Sequence, residues 1–232
     1  MIKTDFKITP SDDECRQIIG KKFDRIMKSD RNRKLYEKAK KEIVTVVKPA
    51  VGWERFKIEE IHYNKILLEN GVKIGGGPVS SVVQGAEELI IALCTIGQDL
   101  ECKVKKYMQN NKMFLGIIMD GLGSWAVDSI KRQFIDWIKK ELHSKEFFRT
   151  SVTLSPGESD WGMQDQKIIF KLLKDEAAKM NVRLKDSLMM IPLKSLTFIM
   201  GIGKNKLGKE SGTNCEFCSL KEKCRFRNRR IE

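Results

Sequence analysis

The stretch FLGIIMDGLGSWAVDSIKRQFIDWIKKELH, residues 114–143, carries the helical pattern around which the fold can be predicted. Its large apolar residues recur at helical steps, the spacing that puts side chains on one face of an α-helix. They are Ile118, Leu122, Trp125, Ile130, Phe134, Ile138 and Leu142. The pattern predicts one long, largely buried helix, with early glycines where a neighbouring element packs closely.

Strand patterns lie on both sides of this helix. EELIIALCTIG at 87–97 is a short apolar run that ends in glycine, as buried strands do. The stretch 53–71 predicts two short strands with a turn, and 187–203 predicts two strands around Pro192. Strands, hairpins and helices in this order predict an α+β fold with a mostly antiparallel sheet.

Shorter helices are predicted near the N-terminus and after residue 160. Ser11 stands before three acidic residues, a helix-start signal. RNRKLYEKAKKEIVTVV at 31–47 has apolar residues at helical spacing, and Pro49 stops it. MQDQKIIFKLLKDEAAKM at 163–180 is amphipathic, so a second helix is expected there.

The charge balance and the apolar runs limit the function classes. The net charge of +13 is compatible with a nucleic-acid or an acidic protein partner. The lysines are spread along the chain, which favours a solvated surface; only RFRNRR at 225–230 is locally dense. The charged N-terminal residues are not typical of a signal peptide, and the run at 89–97 is too short to span a bilayer. A cytoplasmic protein without membrane contact is expected.

Three of the six cysteines fall in NCEFCSLKEKC, residues 214–224. Cys215, Cys218 and Cys224 have the spacing C-x2-C-x5-C, which indicates a metal site and not disulfides. Zinc normally takes four ligands in local pairs, whereas an iron–sulfur cluster can take its fourth thiolate from afar. The spacing therefore favours an iron–sulfur cluster (4Fe–4S) over zinc and over free thiols. The composition turns polar after Gly203, which predicts a domain at 1–203 and a Cys/Arg-rich metal-binding appendix at 204–232.

Two glycine-rich stretches have simpler interpretations than ligand binding. GKNKLGKE at 203–210 resembles a phosphate-binding loop, but Glu210 stands where a Ser or Thr would hold Mg²⁺. A lysine-rich turn is expected instead. GGG at 75–77 is interpreted as a flexible turn before Pro78.

Four segments together resemble a known family. They are LCTIGQDLE (93–101), MDGLGSWAVDSI (119–130), TLSPGESDWGMQDQKIIFKLL (153–173) and VRLKDSLMMIPLKSLTFIMGIG (182–203). The chain resembles the activation (reactivation) domain of vitamin B12-dependent methionine synthase, and more closely its stand-alone relatives. The resemblance implies a single α+β domain with a twisted antiparallel sheet.

The resemblance also implies a function. In the family, this domain caps a corrinoid (cobalamin) whose cobalt has slipped to Co(II), binds S-adenosylmethionine, and supplies a methyl group as an electron arrives. The residues that match the stand-alone pattern are Ser155, Pro156, Gly157, Asp160, Trp161, Gln166, Pro192, Lys194 and Ser195. The resemblance makes Ser155, Pro156, Gly157, Glu158, Asp160 and Trp161 the candidate cofactor-binding residues, with Glu158 and Trp161 expected to reach outward.

The chain departs from the family at two positions of this loop. Thr153 stands where the family has an arginine, and Glu158 where it has a tyrosine. Loss of the guanidinium removes a partner for the methionine carboxylate, so weak or absent S-adenosylmethionine binding is expected. The cobalt-ligating Asp-x-His-x-x-Gly motif is absent around both histidines, so the corrinoid is expected on a partner protein.

Three hypotheses follow. The first is an accessory protein that reductively reactivates a corrinoid protein in methyl transfer, with a C-terminal iron–sulfur cluster as electron source. The second is an S-adenosylmethionine-binding methyl-donor domain with a structural zinc. The third is a basic nucleic-acid-binding module that uses the cysteine and arginine tail, for which the dispersed lysines give little support.

Overall fold

The central strand of the fold sends apolar side chains to both of its faces. In β5 (Glu88–Thr95), Leu89, Ile91 and Leu93 belong to one buried cluster, and Ile90 and Ala92 to the other. The strand is therefore an unbroken apolar run because helices cover the sheet on both sides. The structure is a computed structural model that describes residues 1–20, 23–145, 149–212 and 222.

Within these residues, a seven-stranded sheet forms the middle layer, and all its pairings are antiparallel. The other strands are β1 (Ile2–Lys3), β2 (Ala50–Ile61), β3 (Ile66–Leu68), β4 (Lys73–Ile74), β6 (Arg149–Thr150) and β9 (Ser195–Gly203). The order is β4-β3-β2-β5-β9-β6, and β1 pairs with β2. A separate hairpin consists of β7 (Arg183–Leu184) and β8 (Met190–Ile191). The predicted α+β antiparallel fold is confirmed.

Eight described helices form the two outer layers. One face carries α1 (Asp12–Ile19), α2 (Phe23–Met27), α3 (Asp30–Val46), α5 (Asp99–Gln109) and α6 (Met113–Lys145). The other carries α4 (Val79–Val82), α7 (Asp165–Leu172) and α8 (Lys174–Lys179). The predicted cap at Ser11 is confirmed, because its side chain accepts from the Glu14 amide in a capping box. The single helix predicted at 163–180 is divided in two.

Helix α6 confirms the prediction made for residues 114–143. All seven of its predicted apolar positions are buried. A Cβ on Gly123 would lie 2.2 Å from Leu100 Cδ2, so this glycine allows α5 to pack closely against α6. In length and composition, Met113–Leu142 could cross a membrane, but 61% of its most apolar window is buried within the fold. It is therefore the core helix of this domain.

The chain continues to pack on the domain after β9. Leu207 is only 2% exposed and belongs to the cluster between the sheet and α4, α7 and α8. The Gly208 amide donates to the Gln84 carbonyl, and the Lys209 amide to that of Val82. The lysine-rich turn at 203–210 is thus part of the folded domain. The division of the chain between residues 203 and 204 stays a prediction.

Candidate functional site

The candidate loop, residues 153–161, leaves the sheet along the edge of β9 that also pairs with β6. Leu154 and Ile199 exchange both backbone hydrogen bonds, with N–O distances of 3.1 and 2.8 Å. The strand pairing therefore ends where the loop begins, and the residues after Leu154 turn away from the sheet. This position fixes the start of the loop on a rigid element.

Backbone hydrogen bonds give the loop one defined conformation. The Glu158 amide donates to the Ser155 carbonyl (3.0 Å), and the Gly157 amide to the Trp161 carbonyl (2.7 Å). Gly157 has a φ of 90°, a left-handed conformation that costs glycine little. Gly157 and Asp160 are exposed and Glu158 is half-exposed. These three residues form the outward surface of the loop.

Trp161 does not reach outward, so that expectation is wrong. Its side chain is 1% exposed and packs in the core beside α7. The indole N–H donates to Asp165 Oδ2 at 2.9 Å, which satisfies the one polar atom of the ring inside the protein. Trp161 therefore packs beneath the loop and supports its conformation.

Asp165 is the buried acceptor that organises this region. Its Oδ2 also accepts from the Gly75 amide at 2.8 Å, and Lys65 Nζ lies 3.4 Å away. The residue is 7% exposed, and a buried carboxylate requires such donors. Asp165 thereby connects the candidate loop to the β4–α4 connection. Trp161 lies only four residues before Asp165 in the sequence, and this short spacing is a signal that could have revealed the pair.

The glycines at 75–77 are not a flexible turn, because two of them pack against the loop. A Cβ on Gly76 would lie 3.1 Å from Trp161 Cδ1. A Cβ on Gly77 would lie 2.6 Å from the Ser159 carbonyl oxygen, and Gly77 has a φ of 51°. The backbone at 75–77 can approach the loop this closely only without side chains.

The remaining family-like residues fall in two places. Gln166 is buried beside the loop, and its Oε1 accepts from Thr197 Oγ1 on β9 at 2.8 Å. Lys194 and Ser195 lie at the start of β9. Lys194 Nζ contacts Asp120 (2.8 Å) and Ser124 (2.9 Å) on α6, and Ser195 Oγ donates to Thr95. The structure therefore brings Gln166 to the loop, while Lys194 and Ser195 bond to α6 and β5.

The predicted metal ligands Cys215, Cys218 and Cys224 lie outside the described residues. Among the residues that are described, no group of three or more His, Cys, Asp or Glu side chains is placed to hold a metal. Cys15 and Cys94 are buried, and burial raises the pKa of the Cys94 thiol to about 12. Cys102 is exposed at the start of α5.

An antiparallel sheet flanked by helices, with a structured loop at one edge, is the class of fold that these features define. No protein-family model matches the chain, and no curated protein matches it. Among solved structures it is similar to the crystal structure of the MetH reactivation domain bound to AdoHcy, with a TM-score of 0.54 and 12% identity. The alignment covers 90% of this chain and 81% of that one. The chain therefore has a reactivation-domain-like fold, as the sequence resemblance implied.

Proposed function

We propose that this protein is an accessory protein for the reductive reactivation of a corrinoid protein in methyl transfer. The observation that carries the proposal is the reactivation-domain-like fold over 90% of the chain. The family-like Ser155-Pro156-Gly157 turn lies at the edge of that fold, with Gly157 and Asp160 exposed. A fold alone does not define a function, so the site residues must carry the specific assignments.

The outward surface of the loop is the proposed contact for the ligand or the corrinoid. Gly157, Glu158 and Asp160 supply it, and Ser155, Pro156 and Trp161 hold its shape. Glu158 stands where the family has a tyrosine, so together with Asp160 it makes this surface acidic. Carboxylates do not favour the carboxylate of S-adenosylmethionine, so its binding is proposed to be weak.

The proposed electron source is an iron–sulfur cluster held by Cys215, Cys218 and Cys224. Their soft thiolates fit such a cluster, which supplies a low-potential electron when bound. Cys15 and Cys94 are enclosed in the core and cannot serve as a fourth ligand. Cys102 lies in the first turn of α5, shortly after β5. The tail instead follows the opposite end of β9, because Thr95 pairs with Ser195 and Glu88 with Ile202. About 23 Å of strand separates these ends, so Cys102 lies far from the point where the tail leaves the sheet, and no fourth ligand is assigned.

The corrinoid is the substrate and is proposed to arrive on a partner protein. One electron from the protein would convert Co(II) to Co(I), and a methyl donor would then trap Co(I). Arg225, Arg227, Arg229 and Arg230 would speed the encounter with an acidic partner, so association should slow as salt rises.

The test mixes the anaerobically reduced protein with Co(II) corrinoid proteins encoded near it and follows the cobalt absorption. A shift to Co(I), or to methyl-Co(III) when S-adenosylmethionine is added, is expected. A Cys218→Ser variant should give no shift. If no corrinoid protein shifts while the intact cluster is present and reduced, the reactivation proposal is wrong.

The AdoHcy bound to the similar structure favours one second candidate, an S-adenosylmethionine-binding methyl-donor domain. In this candidate the cysteines of the tail would hold a structural zinc. Metal analysis and calorimetry distinguish the two. Stoichiometric zinc without iron, together with micromolar S-adenosylmethionine binding, would support the second candidate and exclude the first.

A further inference from the structure

The segment at residues 204–210, here called the strap, is held on two sides. On one side it bonds to α4 and the residues after it, through the Gly208 and Lys209 amides, at 2.9 and 3.0 Å. On the other side the Lys209 carbonyl accepts from the Val152 amide at 2.8 Å, next to the first residue of the candidate loop. The strap therefore connects α4 to the sheet edge from which the loop departs.

Side chains fix the strap as firmly as its backbone does. Leu207 is buried in the core, and the Leu207 amide donates to Glu210 Oε1 at 2.7 Å. Glu210 in turn accepts two hydrogen bonds from Arg149, with distances of 2.6 and 2.5 Å. This bidentate pair is the strong geometry for arginine and carboxylate.

The glycine of the strap permits its close contact with α4. A Cβ on Gly208 would lie 1.8 Å from the Ser81 carbonyl oxygen, so a side chain cannot be accommodated there. A Cβ on Gly85 would lie 2.7 Å from the Lys206 carbonyl oxygen in the same way. Gly208, which belongs to the phosphate-binding-loop pattern, and Glu210, which departs from it, are thus the residues that fasten the strap.

We propose that the strap tethers the cysteine segment to the sheet edge of the candidate loop, with Glu210 and Leu207 as its positioning residues. The biological role of the tether rests on the proposed function, whereas the contacts that hold the strap do not. Lys209 and Cys215 are six positions apart in the sequence, so their Cα atoms lie at most about 22 Å apart. If the chain were free from Gly203 onward, twelve residues would allow about 43 Å.

A shorter tether raises the effective concentration of the cysteine segment at the loop. This concentration falls roughly as the −3/2 power of tether length, so doubling the tether from six to twelve residues lowers it about threefold. The strap would thereby keep an electron source near the loop.

Thiol–disulfide exchange in the full-length protein measures this concentration directly. The test protein carries Gly162→Cys, where an added Cβ meets nothing within 4 Å, together with Cys102→Ser, Cys218→Ser and Cys224→Ser. Cys215 is then the only native cysteine outside the buried pair. Oxidised glutathione supplies the oxidising equivalents, and the rate of the disulfide between position 162 and Cys215 is measured without metal.

Glu210→Ala and Leu207→Ala should each slow this disulfide about threefold, whereas Asn205→Ala, at an exposed position of the strap, should leave it unchanged. In the unaltered protein, hydrogen exchange should show the Gly208 and Lys209 amides strongly protected. Equal rates in all variants, no disulfide in the parent protein, or rapid exchange of both amides would overturn the proposal. Because the measurement uses neither cluster nor corrinoid, its outcome is independent of whether the reactivation function is correct.

Discussion

Trp161 and Asp165, four residues apart in the sequence, form a buried hydrogen bond of 2.9 Å that fastens the candidate loop to the first turn of α7. The same carboxylate accepts a hydrogen bond from the Gly75 amide, so the candidate loop and the β4–α4 connection are both bonded to the Asp165 side chain. A tryptophan that belongs to the family-like motif thus has a structural role, and the exposed part of the loop consists of its neighbours.

Removal of the Asp165 carboxylate should destabilise the fold. Asp165→Ala leaves two buried N–H groups without their acceptor, at a cost of about 1–3 kcal/mol for each group. Denaturant unfolding followed by circular dichroism measures the loss. Asp186→Ala, at an exposed aspartate, should stay within about 0.5 kcal/mol of wild type. Equal stabilities of the two variants would show that Asp165 does not organise the loop.

A side chain at Gly77 should displace the loop. Gly77→Ala brings a methyl group against the Ser159 carbonyl, and overpacking of this kind costs about 1–3 kcal/mol. Gly71→Ala is the matched control, because Gly71 also has a positive φ but has open space around its Cα. The difference between their unfolding free energies isolates the clash. A Gly77 variant as stable as the Gly71 variant would contradict the close packing.

The tail should hold iron. Protein purified without oxygen should be brown and contain iron and sulfide, since three soft thiolates lie at C-x2-C-x5-C. Cys218→Ser should lose the colour and keep most of its unfolding free energy. Cys102→Ser, which removes an exposed thiol elsewhere, should keep its iron. Loss of iron from the Cys102 variant would instead identify that thiol as a ligand.

S-Adenosylmethionine should bind weakly, and restoring the family residues should strengthen it. A charged hydrogen bond contributes about 1.5–3 kcal/mol, which is roughly tenfold to more than a hundredfold in affinity. Thr153→Arg with Glu158→Tyr should give that gain in calorimetry. Thr45→Arg adds an arginine on the exposed side of α3 and should give no gain in S-adenosylmethionine affinity. Micromolar binding by the unaltered chain would contradict the expectation.

The contribution of the strap to stability should depend on pH. The Arg149 guanidinium and the Leu207 amide lower the pKa of Glu210 from 4.5 to about 2. A depressed folded-state pKa stabilises the fold above the unfolded-state pKa, and that stabilisation disappears as pH falls through the folded-state value. The stability difference between wild type and Glu210→Gln should therefore be constant above about pH 5 and shrink between pH 4.5 and 2. A difference that does not change with pH would exclude this ion pair as its cause.

The sequence by itself determined the α+β class, the long core helix and the central strand, because each is a local periodic pattern of apolar residues. The capped start at Ser11 and the division around Pro192 were predictable because a capping residue and a proline act on their immediate neighbours in the sequence. The tertiary structure alone decided that Trp161 faces inward and that the glycines at 75–77 pack on the loop, since both depend on contacts between segments more than 80 residues apart. It also decided that Gly208 and Glu210 fasten a strap. Local spacing cannot reveal which carbonyl or guanidinium a glycine or a glutamate will meet.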